Sequence, residues 1–133
     1  MYKFGERSYR RIEGVNQDLV NCAEIALSKS RYDMMIPWMG GVRTPEEQNA
    51  IFLDGNSKCD GYKIKSYHQS GNAIDLIPVD KKYKNTRGLN HFANLMLITW
   101  QELLIKGDAK GLMTWGGTFG SQGWDKPHFE IKI

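Results

Sequence analysis

Three histidines occur in the 133 residues, at positions 68, 91 and 128, and two of them keep acidic company. His68 stands seven residues ahead of Asp75 in SYHQSGNAID, with the apolar run LIPV following. His128 lies three residues after Asp125 in WDKPHFEIKI. Imidazole nitrogen and carboxylate oxygen are both ligands of zinc, at bond lengths of ~2 Å in a tetrahedron. A loop-to-strand hairpin can fold His68 back onto Asp75, and Gly71 and Ala73 between them would leave clearance around an ion. The same spacing also fits a loop histidine ahead of a buried strand. Taken alone, the stretch leaves both readings open.

The C-terminal segment shifts the balance. Phe129, Ile131 and Ile133 alternate with His128, Glu130 and Lys132, so the histidine falls on the strand face away from the apolar residues. Packing gives no reason for a histidine there. His68, Asp75 and His128 make three ligands, and catalytic zinc sites use three and keep one position for water. Asp125, beyond Pro127, is then a spare carboxylate suited to be a general base. Glu130 is the alternative acid. The donor set also accepts cobalt or manganese. Arg43 in GGVRTPEEQ is the last element, with Gly40 and Gly41 allowing a tight turn before it. Its guanidinium fork suits a substrate carboxylate or a developing oxyanion; the alternative is a surface arginine. His91 opens a helical pattern and reads as a surface or partly packed residue.

The elements that must position these groups are legible in outline. Asn16 caps a helix to about residue 30, with Val15 and Val20 at hydrophobic-staple offsets. Residues 33–39 form a short extended segment that ends in a turn. Thr44-Pro45-Glu46-Glu47 predicts a capped helix to about Leu53, stopped at Asp54-Gly55. Residues 56–67 read as loop, 73–79 as a strand, and 81–88 as a basic loop. The longest helix spans 90–106, with Gly107 as its C-terminal stop. Short strands follow at 111–115 and 128–133. The fold class is α+β: one domain, 1–133, with helices packed on a small, mostly antiparallel sheet.

Composition sets limits. Hydrophobic residues make up 41% and charged residues 25%, enough for one core. No apolar run reaches the ~18 residues of a membrane span. The N-terminal segment is charged and lacks the apolar region of a secretory signal. A net charge of +3 favours anionic polymers only mildly. Tyr9, Arg10 and Arg11 form the one basic-aromatic cluster near the start, read as solvated surface rather than a nucleic-acid site. Cys22 and Cys59 are not in a CxxC pair and are expected as free thiols, Cys22 in the core.

Together these residues resemble the zinc peptidases that include D-alanyl-D-alanine carboxypeptidases and the phage L-alanyl-D-glutamate endopeptidases. The pattern S-x-H-x-x-G-x-A-x-D is met by Ser66, His68, Gly71, Ala73 and Asp75. The second pattern is met by Trp124, Asp125 and His128, and the arginine segment by Gly41, Arg43 and Gln48. The resemblance implies a hedgehog/D-Ala-D-Ala-peptidase-like fold, with zinc held by His68, Asp75 and His128. It implies Asp125 as catalytic base, although many relatives carry glutamate there, and Arg43, Gln48 and Ser66 as substrate-binding residues. The substrate would be the peptidoglycan stem peptide, cut between L-Ala and D-Glu. Small size and the lack of a signal look like a phage endolysin, monomeric, kept in the host cytoplasm until it is released to the wall. The alternatives are a D-Ala-D-Ala carboxypeptidase or dipeptidase and a non-catalytic zinc-containing wall-binding module.

Overall fold

The computed structural model describes residues 1–133. Four helices are present: α1 (Glu6–Arg11), α2 (Gln17–Lys29), α3 (Pro45–Leu53) and α4 (Thr86–Lys106). The strands are β1 (Met34–Met35), β2 (Ala73–Asp75), β3 (Ile77–Pro78), β4 (Leu112–Trp115) and β5 (His128–Lys132). They form two antiparallel sheets, a three-stranded one in the order β2-β5-β4 and the pair β1-β3. The α+β expectation holds. Short 3-10 turns at Tyr67–Ser70 and Lys82–Lys84 were not anticipated.

The two predicted caps form as their chemistry requires. Asn16 accepts the Asp18 N–H at the start of α2. Thr44 and Glu47 complete a reciprocal capping box at α3, with Pro45 at the first helical position. Gly107 ends α4 at φ 77°, a left-handed conformation that glycine adopts without strain. Leu19, Leu27, Phe92, Met96 and Trp100 from α2 and α4 pack on Ile74, Phe129 and Ile131 of the larger sheet in one buried cluster. Cys22 lies in this cluster as a free thiol, pushed by burial up to about 12.

Three elements differ from the sequence reading, each for a physical reason. The 73–79 strand divides in two. Leu76 bonds through its N–H to the Pro127 carbonyl, and the chain then crosses to pair with β1. Helix α4 begins at Thr86 rather than 90, because Asn85 caps it by accepting the Gly88 N–H. Helix α1 has no side-chain cap and is too short to show periodicity. Tertiary contacts hold it: Ser8 Oγ accepts the Ile36 N–H at 3.1 Å, and Arg11 Nη1 donates to the Ile36 carbonyl at 2.9 Å. Arg11 is thus a tether within the fold rather than part of a solvated basic patch.

Helix α1 also explains Gly41. A β-carbon at Gly41 would collide with the backbone carbonyl of Arg11. The residue is needed for close approach of two backbones, not for a tight turn. Gly41→Ala is therefore expected to cost ~1–3 kcal/mol by overpacking, read as a lower midpoint of thermal unfolding. An unchanged midpoint would show that α1 can move away at no cost.

Candidate active site

The register of β2 against β5 builds the centre of the site. Ala73 pairs with Glu130, Ile74 with Phe129, and Asp75 with His128. Alternation sends Ile74 and Phe129 into the core and places Asp75 and His128 as a facing pair on the opposite side. His68 comes from the 3-10 turn Tyr67–Ser70. Ser66 caps that turn: its hydroxyl accepts the His68 N–H at 3.2 Å, and its own N–H donates to Gln69 Oε1 at 2.9 Å. Gly71 closes the turn at φ 81°, where an added β-carbon would lie 2.7 Å from the Gly14 carbonyl oxygen. Gly71 thus serves a left-handed turn and backbone packing, and the expected role as clearance around an ion is corrected.

Three atoms converge. His68 Nε2 and His128 Nδ1 are 3.1 Å apart, and each lies 3.2 Å from Asp75 Oδ1. A tetrahedral zinc ion with ~2.0–2.1 Å bonds has ligand-to-ligand edges of roughly 3.3–3.4 Å. The triangle fits such an ion with little adjustment. The rest of each ligand is fixed from outside. His68 Nδ1 donates to the Gly41 carbonyl at 2.8 Å, which leaves the lone pair on Nε2. His128 Nε2 donates to Glu130 Oε1 at 2.7 Å, which leaves the lone pair on Nδ1. Asp75 Oδ2 accepts from Arg43 Nη2 at 3.2 Å. Such outer partners set ring tautomers and ligand basicity in metal sites. A group of His68, Asp75 and His128 could thus hold a metal ion.

Arg43 gives three of its five N–H donors to the protein. Besides Asp75, it donates through Nε to the Met39 carbonyl at 2.8 Å and through Nη1 to Gln48 Oε1 at 2.9 Å. Gln48 has no exposed surface, and its Nε2 donates to Ser57 Oγ and the Cys59 carbonyl. It braces Arg43 from behind and does not face the cleft as a substrate-binding residue would. Ser66 does border the cleft, with its hydroxyl acting as the cap described. His91 lies elsewhere, accepting the Arg31 N–H at 3.2 Å and tilted against the Tyr32 ring.

Asp125 stands beside the triangle without joining it, its Oδ2 3.9 Å from His128 Nδ1. Its loop is pinned to β4: the Asp125 N–H donates to the Gly116 carbonyl at 3.3 Å, and Trp115 Nε1 donates to the Lys126 carbonyl at 2.7 Å. A β-carbon at Gly116 would collide with the Asp125 backbone, so Gly116 sets how closely this carboxylate can approach. That role was missed from sequence, where only the pair Gly116-Gly117 hinted at a close approach. Burial and then the charge of Asp75 push the Asp125 carboxyl up to about 6. Burial alone would also raise Asp75, but the facing His68 and His128 outweigh it and hold that carboxyl well below the usual range. Burial pulls the other way on His128; hydrogen bonds to Asp75 and Glu130 overcome it and raise the ring to about 10. An open cleft of ≈ 1020 Å³ lies over these groups.

The family model for phage L-alanyl-D-glutamate peptidase matches residues 1–131. The chain belongs to this family. It is a peptidoglycan endopeptidase of the phage endolysin type. Among solved structures, the Serratia marcescens L-Ala D-Glu endopeptidase ChiX is similar, at a TM-score of 0.77 and 23% identity. The match covers 99% of this chain and 90% of that one, and at this identity it is a likeness of fold. Comparison with curated proteins gave no match.

The protonation of His128 makes metal binding proton-linked. With its ring raised to about 10, protein stripped of metal carries a proton on His128 at neutral pH. Metal uptake at pH 7 is expected to release about one proton, and affinity should rise as the pH rises toward 10. Calorimetric titration with zinc in buffers of different ionisation enthalpy measures the release. A binding heat independent of buffer would contradict it.

Proposed function

We propose that this peptidase works on the L-alanyl-D-glutamate bond with zinc held by His68, Asp75 and His128, and with Asp125 as its base. The observation that supports the reading is the triangle of ligand atoms with one carboxylate held just outside it. A structural zinc site is closed by four protein ligands, whereas three ligands and a nearby spare carboxylate suit hydrolysis. When bound, the ion supplies Lewis acidity toward the scissile carbonyl and an acidified water.

Asp125 takes a proton from the attacking water and returns it to the leaving amine of D-Glu. In the metal-free protein, burial and Asp75 raise its carboxyl above the usual carboxylate range, which strengthens it as a proton acceptor. Arg43 acts through Asp75. By holding Oδ2, it turns Oδ1 toward the two histidines and offsets the charge of a buried carboxylate. Gln48 keeps the guanidinium in that plane, Glu130 keeps His128 in the ligating tautomer, and Ser66 keeps the His68 turn wound. The enzyme acts as a monomer that reaches the wall from the host cytoplasm. No helix is long and apolar enough to cross a membrane.

Asp125→Asn is expected to retain bound metal and lose roughly 10²- to 10⁴-fold in turnover. Metal analysis together with mass spectrometry of the products from a defined muropeptide makes the check. Full activity in the variant, or release of a lone D-Ala with the L-Ala–D-Glu bond intact, would overturn this reading. Glu130→Gln is expected to weaken metal affinity by about 10- to 100-fold, as loss of an outer-shell carboxylate does. Competition with a chromophoric chelator measures it, and unchanged affinity would show that Glu130 does not orient His128.

A further inference from the structure

The substrate brings a charge that the described site does not answer. In the L-alanyl-D-glutamate linkage, the D-Glu nitrogen is the leaving amine and the chain continues through its side-chain carboxyl. Its α-carboxylate is free and sits only two bonds from that nitrogen. A base that protonates the leaving nitrogen must therefore come close to this carboxylate. Asp125 is itself an anion, so a cation is needed on its side of the cleft.

Arg43 gives three of its five N–H groups to Met39, Gln48 and Asp75, and its charge already offsets the Asp75 carboxylate. Lys126 is next to Asp125 in the chain, but its Nζ donates to Asn90 Oδ1 at 3.0 Å. Besides Arg43, two cations border the cleft, Lys58 and Lys65. Lys65 precedes Ser66, at the end where the His68 turn begins. Lys58 Nζ lies 5.5 Å from the centre of the Trp124 ring, and Trp124 is the residue before Asp125. The Trp124 ring is half exposed and forms a platform for the ammonium at the border of the cleft. No carboxylate pairs with Lys58 within ion-pair distance, so its charge is available.

We propose that Lys58, seated on the ring of Trp124 in the cleft that Asp125 also lines, reads the free α-carboxylate of D-Glu and sets the enzyme's preference for that residue over its α-amide. The proposal rests on the peptidase reading above. It makes Lys58 a specificity residue for the leaving side of the bond, with Trp124 as its support.

The test compares two muropeptides that differ only at this group, one with D-Glu and one with D-isoglutamine. Wild type is expected to prefer the acid by about tenfold in kcat/KM, the scale of one partly exposed charge-assisted contact. Lys58→Gln should cut the two substrates at equal rates, mainly through a higher KM on the acid. Lys58→Arg should restore the preference and Lys65→Gln should retain it. A Lys58→Gln enzyme that still prefers the acid as strongly as wild type overturns the assignment and leaves the peptidase reading standing. Loss of the preference in Lys65→Gln alone overturns it as well. A wild type that cuts neither peptide at the L-Ala–D-Glu bond fails the peptidase reading itself.

Discussion

Three electron-rich atoms held 3.1–3.2 Å apart are the constraint on which this structure turns. With both histidines in the tautomers their outer partners select, lone pairs point at one another from His68, Asp75 and His128. Such a cluster is stable only around a positive charge, either a proton or a metal ion. That is why His128 is so basic on the protein's own charges. The surrounding architecture keeps the three atoms from relaxing apart. The β2–β5 pairing locks Asp75 opposite His128, and the capped turn with its glycine stop holds His68 over them.

Around this cluster the fold places one fixing contact behind each ligand. Gly41 reaches His68 through its backbone, and it can stand there only because the absent side chain lets it press against the end of α1. Glu130 reaches His128 from two residues along the same strand, on the same face. Arg43 reaches Asp75, and Gln48 fixes Arg43 in turn, so the capped helix α3 is wired to the centre through two buried side chains. Helix α1, short and uncapped, thus serves the site at one remove. The base follows a different logic. Asp125 rides on a glycine-bearing loop pinned to β4, which fixes its approach without making it a ligand.

The site chemistry and several helix ends are legible in the order of residues alone. His68, Asp75 and His128 could be picked out because a histidine on the open face of an alternating strand has no packing reason to be there. Asn16, Thr44 and Gly107 marked helix ends through short-range hydrogen bonding and backbone freedom, which depend only on neighbours in the chain. The resemblance to a family added the roles expected of these residues, from Ser66 to His128. What Arg43, Gln48, Gly41 and Gly71 are for emerges from packing. Arginine, glutamine and glycine carry no signal of direction; their function is set by which carbonyl, carboxylate or backbone lies within about 3 Å, the reach of a hydrogen bond. Those partners come from segments tens of residues away, brought together by packing. The same limit explains α1, whose stability rests on Ile36 and Gly41 rather than on its own six residues.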